Sequence, residues 1–125
     1  MKELTARKAR FLWKILVKDN KAVTGIEISY GTTGLGGSNC SDDREDRAEV
    51  YSLEELRKSK PIRLWWGEEL CAVIGDRFYL RSRENKTLTS YGEEGKYILG
   101  DKVAYDTAEY QKVRLVYREE KQWQL

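Results

Sequence analysis

The chain has 125 residues, with 23 Lys and Arg against 21 Asp and Glu, two Cys, one Pro and no His, for a formal net charge of +2. Without imidazole, the Ser-His-Asp and Cys-His nucleophile systems, histidine-ligated zinc and proximal-histidine haem are excluded. The near balance of charge also counts against a dedicated duplex-binding domain, which shows a clear basic excess.

One domain, residues 1–125, is the expectation at this length. A 40% hydrophobic content with four Trp, eight Tyr and two Phe predicts a packed core rather than disorder. Cys40 and Cys71 form no C-x-x-C pair, so no metal framework is expected, and the spacing leaves open whether the two thiols meet. The apolar run at 11–17 is broken by Lys14. It is far shorter than the ~18 residues of a membrane span and unlike a signal peptide, so the expected setting is the cytoplasm, with no membrane partner. The acceptor patterns at Asn39 and Asn85 then read as loop residues.

In chain order, residues 10–18 fit two patterns. Phe11, Trp13, Ile15 and Val17 alternate as a strand, whereas Ala9, Leu12, Trp13 and Leu16 fit a helix. The turn-forming Asp19-Asn20-Lys21 and the clean alternation of Thr24, Ile26, Ile28 and Tyr30 favour a hairpin. Residues 31–46 are rich in Gly, Ser, Thr and Asp and read as a long loop. Ser52 and Glu55 form a capping-box pattern before Leu53 and Leu56, and Pro61 ends that helix. Weak helical character extends back through Ala48, Val50 and Tyr51.

Beyond Pro61, short alternating runs at 62–66, 70–74, 77–83, 87–91, 97–99, 103–105 and 110–118 are separated by glycine and Asn or Asp turns. The predicted fold is mainly β (α+β), a small antiparallel sheet or partly open barrel of about seven or eight strands with one short inserted helix.

Strand parity supplies the candidate site. Phe78 and Leu80 share one face of their strand, and Arg77, Tyr79, Arg81 and Arg83 share the other. Arg63 and Trp65 have outward parity nearby, as do Lys112, Arg114 and Arg118 in the last strand. If these strands are neighbours, guanidiniums and aromatic rings share one surface, suited to a protein partner or to phosphates and bases. An ordinary solvated sheet face, with Arg lying over Tyr or Trp, has the same composition.

The glycine-rich stretch from Gly31 to Asn39 can present backbone N–H groups to a phosphate but lacks the P-loop and dinucleotide signatures. Seven acids against three bases over residues 42–57, and seven bases against two acids over residues 1–21, mark opposite-signed patches. The acidic run lacks calcium-loop spacing, and no catalytic set is visible.

The first expectation is therefore a non-catalytic binding module without cofactor or metal. It would be a small regulator or inhibitor, of bacterial or phage type, that docks on a larger protein assembly through the aromatic and Arg face. The alternative is a nucleic-acid or nucleotide-binding β domain using the same face and the glycine-rich loop. Edge strands leave the oligomeric state open.

Overall fold

A computed structural model describes residues 4–34, 44–65, 67–104 and 107–118, with the backbone alone at 101–104. Trp66, Trp123, Cys40 and residues 35–43 of the expected loop lie outside the described residues.

Nine strands and two short helices are described. They are α1 (Ala6–Ala9), β1 (Leu16–Lys18), β2 (Val23–Gly34), β3 (Arg44–Ser52), α2 (Leu53–Arg57), β4 (Ile62–Arg63), β5 (Glu68–Ile74), β6 (Arg77–Ser82), β7 (Leu88–Tyr91), β8 (Lys96–Ala104) and β9 (Thr107–Tyr117). The mainly β, mostly antiparallel character is as the sequence predicts, but the strands are divided between two open sheets. The first sheet, A, has the order β1-β5-β6-β7, with β4 also on β5; the second, B, has the order β3-β2-β9-β8. Every pairing is antiparallel except β1 with β5.

The main core lies between the sheets, where Leu70, Val73, Phe78 and Leu80 of sheet A join Ile26, Ile28, Val113 and Leu115 of sheet B. Period-two alternation along β2 and β9 puts these residues on one face. Leu56 of α2 closes one side of this core and is fully buried. That helix starts where the capping box predicts: Ser52 Oγ accepts from Glu55 N at 3.1 Å, and Glu55 Oε1 accepts from Ser52 N at 2.8 Å.

The outer face of sheet A is covered as well. Ala9, Cys71, Ala72, Ile74 and Tyr79 form a second buried cluster, packed by Leu4, Leu12, Leu16 and Leu88. The N-terminal segment 4–15 is thus a strap across sheet A. Its single helical turn is capped by Thr5, whose hydroxyl accepts from Lys8 N.

Four sequence expectations change. Residues 10–18 do not form a hairpin with β2, because β1 pairs in parallel with β5 in the other sheet. The segment's two-sided apolar pattern serves two cores, with Ile15 and Val17 facing the inner one and Leu12 and Leu16 the outer one. Residues 31–34 and 44–46 are strand, not loop, and residues 48–51 continue β3 with no helical character. Gly31 is glycine because a Cβ there would overlap the Arg44 carbonyl oxygen and lie 2.7 Å from the Tyr110 ring. The two short runs expected at 97–99 and 103–105 are joined in β8, whose register shifts between Leu99 and Val103.

Candidate anion-binding cleft

The predicted parity of β6 holds, but its outward residues do not share one exposed surface. Tyr79 is 6% exposed, beneath the strap. Arg77 lies at the other end of β6, donating through Nε to Ser90 Oγ at 3.1 Å and through Nη2 to Ser90 O at 3.2 Å. Trp65 leans across to sheet B, its ring 5.7 Å from that of Tyr30 and its main-chain N–H donating to Gln111 Oε1 at 3.0 Å. Gly100 makes room for it, since a Cβ there would sit 3.2 Å from the indole. Lys112 and Arg114 belong to the other sheet, and Arg118 follows the end of β9. The strands are not all neighbours, so the predicted surface divides.

Arg63, Arg81 and Arg83 do converge, on Glu69. The β5 register places Glu69 opposite both Arg63 and Arg81. Its Oε1 lies 3.0 Å from Arg81 Nε, and its Oε2 lies 3.8 Å from Arg83 Nε and 4.0 Å from Arg63 Nε. The Glu69 and Arg81 side chains are largely buried, while Arg63 and Arg83 reach solvent. Arg81 also donates through Nη1 to the carbonyl oxygens of Ala9 and Leu12, tying the strap to the sheet at the strap's own chain reversal.

This clasp brings the basic N-terminal residues over the Arg cluster. A cleft of about 200 Å³ opens between α1 and the β6–β7 turn, with Arg10, Arg81, Arg83, Lys86, Ser82 and Glu69 in its wall. A more open hollow of about 520 Å³ adjoins it and shares Arg10, Arg81 and Glu69, adding Lys60, Arg63, Phe11 and Trp13. Phe11 is 67% exposed and Trp13 is 85% exposed, so both rings stand at the rim.

The turn that carries Lys86 is built tightly. Ser82 Oγ accepts from Glu84 N and Asn85 N at 3.3 Å, and Asn85 Oδ1 accepts from Thr87 N and Oγ1. Lys86 itself has φ 63°, a left-handed conformation unusual for a side chain of this type.

Chemically, this arrangement is able to hold an anion. Guanidiniums recognise phosphate or carboxylate oxygens with paired donors, and Lys adds a point charge. The one carboxylate in the wall is already surrounded by arginines. Cys71, just beneath the strap, is no nucleophile at neutral pH, because burial pushes its thiol up to about 11. Among the described residues no three Cys, Asp or Glu side chains gather to hold a metal, and no helix is long and apolar enough to cross a membrane.

Arg10, Phe11, Trp13, Lys60, Glu69 and Lys86 were not expected at the site. The basic excess of the first 21 residues was the available signal for Arg10, but without the parallel β1–β5 pairing it pointed to no location. Comparison with protein-family models, with curated proteins and with solved structures finds no match.

Proposed function

We propose that this protein is a non-catalytic, cytoplasmic binding module that holds single-stranded nucleic acid in the cationic cleft. The observation that carries this reading is the convergence of Arg10, Lys60, Arg63, Arg81, Arg83 and Lys86 on two adjoining hollows, rimmed by exposed Phe11 and Trp13. Cations tracking a backbone beside aromatic plates for the bases is how sequence-tolerant single-strand binding works. The small net charge is no obstacle, because the cleft gathers positive charge that acidic residues elsewhere in the chain balance.

The test is fluorescence anisotropy with labelled oligo-dT, oligo-U and a duplex of equal length. Single strands should bind in preference to duplex, and log affinity should fall with log salt by about 0.7 per phosphate contacted. Arg10→Gln with Arg63→Gln should weaken binding at least tenfold. Equal or absent binding of single strands and duplex would reject the reading.

The outer face of sheet B favours a second reading, the regulator or inhibitor that docks on a protein assembly. Tyr97, Leu99 and Val50 are exposed there, beside Lys112, whose ammonium lies 5.9 and 5.7 Å from the Tyr97 and Tyr110 rings. Exposed Tyr beside cations is typical of interface anchors. On this reading a captured protein partner survives moderate salt, is lost with Tyr97→Ser and Leu99→Ser, and is kept by the cleft variants.

A further inference from the structure

The two hollows differ in shape and in what they offer, and the difference bears on which part of a strand each receives. The smaller cleft is the more enclosed of the two. Its wall carries Arg10, Arg81, Arg83 and Lys86 against Glu69 alone, with Ser82 and Ala6 completing it and no aromatic ring. Both rings, Phe11 and Trp13, belong to the open hollow. Phosphate recognition and base stacking are thus separated, and Arg10, Arg81 and Glu69 stand at the boundary.

We propose that the enclosed cleft receives the terminal phosphomonoester of a nucleic-acid strand, whose first bases then lie over Phe11 and Trp13. This inference rests on the single-strand reading and makes it specific to strand ends.

Three features point to an end rather than an internal phosphate. An internal phosphodiester is tethered on both sides and carries one negative charge. A terminal monoester is tethered on one side, can enter a recess, and carries close to two negative charges at neutral pH. Second, the charge fits: four cations and one carboxylate leave a surplus well above what one diester neutralises. Third, the donors have fixed geometry. Arg81 is held by Glu69 and by two strap carbonyls, and the networked turn sets Lys86. Ser82 Oγ accepts two main-chain N–H groups, which leaves its own proton to donate. A volume of about 200 Å³ is roughly six or seven times the ~30 Å³ share of one liquid water, room for a phosphate and part of its hydration.

The experiment compares an eight-nucleotide oligo-dT bearing a 5′-phosphate, a 3′-phosphate or hydroxyl groups at both ends, by anisotropy competition at fixed ionic strength. One phosphorylated form should bind at least tenfold more tightly than the hydroxyl form, and which one does so identifies the end. Arg83→Gln with Lys86→Gln, both solvent-reaching side chains, should weaken every form and the preferred phosphorylated form the most, so that its advantage over the hydroxyl form is lost. Trp13→Ala should weaken all forms by the same factor.

Equal affinity of phosphorylated and hydroxyl forms overturns the end-specific inference and leaves the single-strand reading standing. Failure of every oligonucleotide to bind overturns both. Competition by inorganic phosphate as strong as that by phosphorylated oligonucleotide overturns the assignment to a nucleic-acid end.

Discussion

The guanidinium of Arg81 reaches three acceptors: the Glu69 carboxylate and the main-chain oxygens of Ala9 and Leu12. Removing it leaves a mostly buried carboxylate short of its closest partner and unties the strap. Arg81→Met should therefore destabilise by about 2–4 kcal/mol, read as a lower urea midpoint. The same variant should speed labelling of Cys71, which the strap covers; unchanged labelling would show that the apolar contacts alone hold it. Cys71 also makes a pH prediction. Its native thiol keeps its proton to about 11, whereas the unfolded thiol releases it near 9. Between these values unfolding releases a proton, so stability falls as pH rises through that window, by about 2 kcal/mol at pH 10.5 relative to pH 8. Cys71→Ala should lack this component, and identical pH profiles for the two proteins would contradict it. Lys86 separates folding from binding: Lys86→Gly relieves the left-handed backbone and should raise stability by about 0.5 kcal/mol while weakening anion binding.

Among the elements, α2 is the clearest case of local sequence deciding local structure. Ser52→Ala should cost about 1 kcal/mol through the lost cap, and Leu56→Ala about 2–5 kcal/mol through the cavity left under the helix, both measurable by denaturant titration. The capping pair was legible because its two partners lie three residues apart. The alternation of Phe78 and Leu80 was legible for a similar reason. The opposite face of β6 was not, since nothing in residues 77–83 reveals that a strap from residues 4–15 lies over Tyr79 and Arg81. Likewise Gly31 and Gly34 looked like loop glycines because the close approach of Arg44 and Tyr110 that demands Gly31 comes from distant chain segments. The site was half legible for this reason. Arg63, Arg81 and Arg83 follow from parity and Lys86 from the turn that succeeds β6, but Arg10 and Glu69 join them only through pairings between β1, β4, β5 and β6 that no local pattern encodes.

At the level of the whole molecule, cations are concentrated at one place while both signs are interspersed elsewhere. The cationic cleft occupies the outer side of sheet A, whereas Arg44, Glu45, Asp46, Arg47 and Glu49 mix the two signs along β3, the edge of sheet B. Consecutive charged residues from Arg44 to Arg47 on that edge oppose strand addition by another chain. Replacing Arg44, Glu45 and Asp46 together by Thr should produce association that increases with concentration relative to the wild type, followed by sedimentation velocity. An unchanged profile would mean that the edge is protected by something other than charge. The strap has a consequence for how such a protein diversifies. Arg81 grips it by main-chain oxygens, which every residue type supplies, and its apolar underside rests on Ala9 and Leu12. The side chains proposed to meet the ligand, Arg10, Phe11 and Trp13, lie between and beside these and carry little of the fold. Selection can rewrite them one at a time, exchanging one ligand preference for another on an unaltered scaffold, and a library randomised at those three positions would sample that freedom directly.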